Sequence, residues 1–346
     1  MSQVRILPGP PIDPGLPTST DTLGHMRDAG PLESFFETGV CVLDGGLATE
    51  LERRGADLGD ALWSAKVLLE SPEAIVDVHR AYFEAGADVA ITASYQASEQ
   101  GFASRGIDRE GTAARLRQSV ALARTARDEW LAAPEASTLT RPRPLVAASI
   151  GPFGAVLADG SEYRGDYGVS RALLTEFHLA RLETLMGAGP DLLAIETIPS
   201  ALEAEAIVEA LARLGDPVPA WCTFTLRDGG HLADGAALDD AAHAVTASPS
   251  IVAVGVNCSP PASALEAVAR IAKTASLPVV AYPNRGADWD ASSKTWTGGA
   301  DVDMAAVATE LVEAGATVVG GCCGTGPSDV HAIAVAVGAR AKNGQR

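Results

Sequence analysis

Eight times between residues 40 and 325 the chain repeats one pattern: a short run of Val, Ile, Leu and Ala, a polar or Gly-rich loop, then an amphipathic stretch. The apolar runs are "VCVLDGG" (40–46), "ADVAITASY" (87–95), "PLVAASIGPFG" (144–154), "DLLAIETIP" (191–199), "PAWCTFTLRD" (219–228), "IVAVGVNCSP" (251–260), "PVVAYPNRG" (278–286) and "ATVVGGCCGT" (316–325). They are short and continuous, as strands buried on both faces must be. The stretches between them predict helices over 71–86, 110–133, 170–189, 200–215, 237–248, 261–276, 301–315 and 327–341, the first with Ser71 at its cap and Pro72 in its first turn. Regular strand–helix alternation over this length predicts one (β/α)8 TIM barrel spanning 38–346. A doubly wound open sheet is the alternative, but no G-x-G-x-x-G follows the first strand. Residues 1–37, which open "MSQVRILPGPPIDPGLPTST", read as a poorly ordered N-terminal extension without the apolar core of a signal peptide.

Charge narrows the partners. With 44 acidic and 26 basic residues the formal net charge is −18, which argues against nucleic acid and against an anionic membrane surface. No run of 18 apolar residues predicts a membrane span. Five cysteines (Cys41, Cys222, Cys258, Cys322 and Cys323) are an odd count without an export signal, so a reducing, cytoplasmic setting is expected. The barrel is long enough to stand as a monomer or to form a small homo-oligomer.

Barrel chemistry sits at the C-terminal ends of the strands. Cys258 ends the sixth run; Cys322 and Cys323 end the eighth. Three thiols converging there match a zinc site with an open fourth position. Neighbouring strand residues point to opposite faces, so both thiols of the pair reach one ion only if the backbone leaves strand geometry. Gly320, Gly321 and Gly324 supply that freedom. The alternative is a pair of small buried core cysteines; Cys41 and Cys222, inside their runs, are assigned to the core. A three-thiolate zinc is poorly suited to activating water and well suited to binding a fourth thiolate that stays nucleophilic. The chemistry implied is attack by a substrate thiol on an electrophilic carbon.

The segments "DGGLATELERRG", "ITASYQAS", "GPFGAVLADGSEYRGDY", "ETIPS", "TFTLRDGGHLADG", "VGVNCSPP", "YPNRGADWDASSKTWTG" and "GGCCGTGP" resemble the homocysteine S-methyltransferases, over about residues 38–335. "ADGSEYRGDY" and "SKTWTG" look most like the branch that uses S-methylmethionine or S-adenosylmethionine. The resemblance implies methyl transfer from such a sulfonium donor, S-methylmethionine first, to L-homocysteine, giving L-methionine. It implies Cys258, Cys322 and Cys323 as Zn2+ ligands, with the homocysteine sulfur as the fourth. One departure is Gly324, where an Arg is common in relatives. Betaine as donor and a zinc hydrolase on the same barrel are the competing readings. A non-catalytic zinc store or thiol sensor is a third.

Other strand-end residues fit an amino-acid substrate. Asp44, or alternatively a turn cap, can hold an amino group; so can Glu196, a carboxylate inside an apolar run. Gly45 and Gly46 let backbone N–H groups approach a carboxylate. Thr92 and Ser94 can contact polar substrate groups or stay in the core. Asn257 precedes a ligand and can support it. For a sulfonium, the aromatic candidates are Trp63, Tyr95, Tyr163 and Tyr167, each with a packing alternative. Methyl transfer has no obligatory proton transfer, so no essential histidine is expected; His231 is the one of the six placed near the mouth.

Overall fold

The computed structural model describes residues 29–58, 64–134, 136, 141–215, 218–290, 295–298 and 302–344. Eight parallel strands form one sheet: β1 (Cys41–Val42), β2 (Val89–Ile91), β3 (Leu145–Ile150), β4 (Leu192–Ile198), β5 (Ala220–Phe224), β6 (Ile251–Asn257), β7 (Val279–Tyr282) and β8 (Val318–Val319). Their order is 1-8-7-6-5-4-3-2, and a parallel bridge from Leu43 to Val89 closes the circuit. This is the (β/α)8 barrel that the alternation predicts.

The outer layer is α1 (Pro72–Ala85), α2 (Arg109–Ala132), α3 (Arg171–Met186), α4 (Ala201–Leu214), α5 (Leu238–Thr246), α6 (Pro261–Thr274), α7 (Met304–Ala314) and α8 (Pro327–Gly344). Start signals are local. Asp108, Ser170 and Ser200 each accept a bond from the backbone N–H three residues on. Ser71 occupies the cap of α1 with no side-chain bond, and Pro72 supplies the preset φ there.

Strand residues alternate between two buried layers. Cys41, Leu43, Trp221, Val280 and Tyr282 fill the barrel interior. Val42, Cys222, Val254 and Ala281 face the helices. Cys41 and Cys222 are therefore core residues, one in each layer. At the N-terminal end, Gly30–Leu32 and Glu33–Phe36 form short turns that seat the fully buried Leu32 and Phe35 in the interior layer. These turns lie within the stretch read as an extension; residues 1–28 lie outside the described residues.

The fifth run is split. β5 stops at Phe224, and Leu226–Asp228 pairs instead with His231–Leu232 in a separate hairpin. The Asp228–Gly229–Gly230 turn that ends this run favours a hairpin over one long strand. A second hairpin, Ala287–Asp290 with Thr295–Gly298, follows β7. Among the described residues no helix is long and apolar enough to cross a membrane.

Candidate active site

The thiols meet at the C-terminal mouth. The ligand atoms of Cys258, Cys322 and Cys323 all lie within 4.8 Å of one another, and Cys258 Sγ is 3.6 Å from Cys323 Sγ. Sulfurs held at ~2.3 Å around a tetrahedral ion would lie ~3.8 Å apart, so this set fits a zinc-like ion with one position left over. Cys258 is buried, whereas Cys322 and Cys323 are partly exposed, so the cluster opens on their side.

The backbone reaches this geometry by leaving the strands. Cys258 has φ +46°, a left-handed conformation rare outside glycine. After β8 the chain passes Gly320, where a Cβ would lie 2.6 Å from Leu43 Cβ, so only glycine fits. It then turns back on itself: the Thr325 N–H and hydroxyl both donate to the Cys322 carbonyl, with Gly324 at φ +83°. The end of β7 ties the two cysteine segments together. Cys258 N–H donates to Tyr282 O at 3.1 Å, Cys322 N–H to Pro283 O at 2.9 Å, and Arg285 N–H to Cys323 O at 3.1 Å.

Hydrogen-bond sharing with Cys322 and Cys323 pushes Cys258 well below the ordinary thiol range, and sharing with Cys258 pushes the other two up. The Tyr163 hydroxyl adds a contact at 3.4 Å from Cys258 Sγ.

Around the thiols stand three buried carboxylates. Asp44 follows β1; its Oδ2 accepts from Ile91 N–H at 2.8 Å, while Oδ1 is buried with no partner. Burial, with the nearby Glu196 adding, pushes its carboxyl well above the usual range despite the Ile91 bond. Glu196, in β4, accepts from the Ser149 hydroxyl and, at 3.1 Å, from the Tyr282 hydroxyl. Burial outweighs these bonds and raises it to about 7. Glu162 sits in the turn Ser161–Tyr163, on the loop between β3 and α3; it is 8% exposed, and its Oε2 has no partner. Burial raises it to about 7 as well, with the Cys258 charge adding.

The other strand-end residues are mostly engaged. Asn257 Oδ1 accepts from Thr197 N–H at 2.7 Å and from the Thr223 hydroxyl at 2.8 Å, and Nδ2 donates to Thr197 Oγ1 at 2.8 Å. Thr197 itself has φ +61°, so Asn257 clamps the strained residue that follows Glu196. Thr92 Oγ1 accepts from Ser149 N–H, Ser94 Oγ donates to Ser149 O, and the two hydroxyls bond each other at 2.8 Å. They stitch β2 to β3. At Gly45 a Cβ would lie 2.9 Å from both Thr325 Oγ1 and the Tyr82 ring. The Gly46 N–H is bonded to Thr325.

Of the aromatic candidates, Tyr163 touches the cluster. Tyr95 packs on Gly151, Tyr167 donates to Glu203, and Trp63 lies outside the described residues. His231 pairs with Asp228 on the exposed hairpin at 2.7 Å. The sequence alone does not single out Glu162, Tyr282 or Ser149. A tyrosine in an apolar run was the one available sign for Tyr282, since a buried hydroxyl needs a partner.

Fold and site together define a (β/α)8 protein whose strand-end thiol cluster can hold a metal. Residues 41–337 match the family model described as homocysteine S-methyltransferase. Homocysteine S-methyltransferase YbgG of Bacillus subtilis (strain 168) is 45% identical over 311 residues, covering 90% of this chain and 96% of that protein. Homocysteine S-methyltransferase 4 of Zea mays is 47% identical over 324 residues, covering 91% and 94%. The metallated form of the homocysteine methyltransferase MmuM from Escherichia coli superposes with a TM-score of 0.79 at 43% identity, covering 88% of this chain and 99% of that one. The chain belongs to the homocysteine S-methyltransferase family.

Proposed function

We propose that this protein methylates the sulfur of L-homocysteine from a sulfonium donor, S-methylmethionine first and S-adenosylmethionine second, with Zn2+ held by Cys258, Cys322 and Cys323. The observation that carries the reading is the convergence of three thiols, within 4.8 Å of one another, on a partly exposed side of the mouth. A bound zinc ion would supply a soft positive centre that keeps a substrate thiol deprotonated at neutral pH.

The chain's own groups then orient the two substrates. Asp44 Oδ1, buried and unpartnered, is a fitting acceptor for the homocysteine ammonium. Glu196, held by Ser149 and Tyr282, presents a second carboxylate at the same end of the barrel. In the transfer step a thiolate lone pair attacks the donor methyl carbon in line. The bond from that carbon to the donor sulfur breaks, and its electron pair stays on the donor as a neutral thioether. No proton moves in that step, so positioning carries the catalysis.

The test is methionine formation from homocysteine by zinc-loaded protein, with each donor in turn. S-methylmethionine should yield two methionines per turnover, and S-adenosylmethionine one methionine plus S-adenosylhomocysteine. Zinc-loaded protein that makes no methionine from any donor would overturn the reading.

A further inference from the structure

Glu162 is unexplained by the binding of homocysteine alone. Its carboxylate is buried and feels the charge of Cys258, yet Oε2 has no hydrogen-bond partner. A buried carboxylate oxygen left bare is costly and normally marks a missing partner. Arg164, the adjacent cation, pairs with Asp159 at 3.9 Å and Asp166 at 3.6 Å and is half exposed. The charged groups felt by the carboxyl are Cys258, Asp159 and Arg164. Tyr95 and Tyr163 in turn both feel the charge of Glu162, so two aromatic rings and a carboxylate gather next to the thiols. Carboxylates and aromatic faces together are the surroundings of a bound cation.

The turn that presents Glu162 is built in. At Gly154 a Cβ would lie 2.5 Å from Glu162 N, so the turn packs flat on a glycine. Both ends of its loop are pinned to one buried carboxylate. Glu203 accepts from Phe153 N–H at 2.6 Å and from the Tyr167 hydroxyl at 2.9 Å, and it bonds His178 at 2.8 Å. The backbone that carries Glu162 is therefore held in place before any ligand arrives.

In-line attack puts donor and acceptor on opposite sides of the methyl carbon. Asp44 and Glu196 stand at the ends of β1 and β4, with Asp44 feeling the charge of Glu196, whereas Glu162 comes from the separate loop after β3. We propose that Glu162 is a donor-binding residue that reads the positive charge of the sulfonium and sets the preference for a cationic over a neutral ligand. The proposal rests on the methyl-transfer reading for the identity of that cation. Transfer turns the sulfonium into a neutral thioether, so the contact with Glu162 weakens along the reaction. Glu162 therefore stabilises the bound donor more than it stabilises the transfer step, so its loss should raise donor KM without lowering kcat, and it favours release of the spent donor.

The test compares equilibrium binding of S-methylmethionine and methionine to zinc-loaded wild type and Glu162→Gln. These ligands share the ammonium and carboxylate and differ in charge at sulfur. Wild type should prefer the sulfonium at least ~10-fold, a size ordinary for a charged contact, and Glu162→Gln should lose that preference. Homocysteine affinity should stay within ~2-fold, reporting an intact fold and acceptor side. Glu162→Asp should recover part of the preference. The proposal is overturned if Glu162→Gln keeps the preference, if wild type shows none, or if the variant loses both ligands equally. A preserved sulfonium preference in protein that makes no methionine would support Glu162 as a cation reader and sink the methyl-transfer reading instead.

Discussion

Asp44 and Asp88 stand at opposite ends of β1 and β2 and make the same first bond. Asp44 Oδ2 accepts from Ile91 N–H at the C-terminal mouth; Asp88 Oδ2 accepts from Val42 N–H at the N-terminal end. Both side chains are buried. They differ in what their remaining bonds do. Asp88 is forked by Arg141, which also donates to Val40 O, and Leu32 and Phe35 seal that end. Asp44 keeps a bare Oδ1, next to carboxylates pushed up to about 7 and thiols that share protons. One end of the barrel closes its polar bonds internally, and the other leaves them for ligands. The N-terminal end should therefore carry stability, and the mouth function at some cost to stability.

Substitutions at the two ends should separate these roles. The largest effect belongs to the mouth. Cys322→Ala should remove the bound metal and lower methyl transfer at least ~10³-fold, while the fold persists. Metal analysis and turnover on the same sample would check this, and a variant that keeps its metal would break the comparison. Next comes the sealed end. Phe35→Ala should cost about 3–5 kcal/mol in urea unfolding, with turnover per folded molecule unchanged.

The matched aspartates give the sharpest contrast. Asp88→Asn strands a partly buried Arg141 and should cost about 2–3 kcal/mol, discounted because the arginine side chain is 26% exposed. Asp44→Asn should change stability by less than ~1 kcal/mol yet raise homocysteine KM by ~10-fold or more. Equal stability losses from the two would remove the distinction.

The smallest effect is in pH dependence. Glu196 is raised from 4.5 to about 7 in the folded protein, so the folded state holds its proton more tightly than the unfolded chain. Its contribution to stability is full below pH 4.5 and is lost as pH rises through about 7. In metal-free protein at pH 8, Glu196→Gln should be more stable than wild type by about 2 kcal/mol, and the gap should close at pH 4.5. Denaturant midpoints across that range would measure it.

The barrel was legible because its signals are local. Each apolar run and each helix start at Asp108, Ser170 or Ser200 announces itself within a few residues. Cys258, Cys322 and Cys323 were legible because the strand-end rule turns sequence position into place. Glu162 was not, because it lies on a loop, and its closeness to Cys258 depends on how that loop folds back onto Gly154. Asn257 shows the limit from the other side. The strand-end rule found it, but only the structure reveals the clamp on Thr197. The break after Phe224 was passed over because the apolar run continues through Leu226, although the Asp228–Gly229–Gly230 turn signals a hairpin.

The most direct test of the account is X-ray absorption at the zinc edge of zinc-loaded protein, with and without homocysteine. Three sulfur neighbours from Cys258, Cys322 and Cys323 are expected, rising to four when homocysteine is added. Fewer than three sulfurs, or a count unchanged by homocysteine, would contradict it.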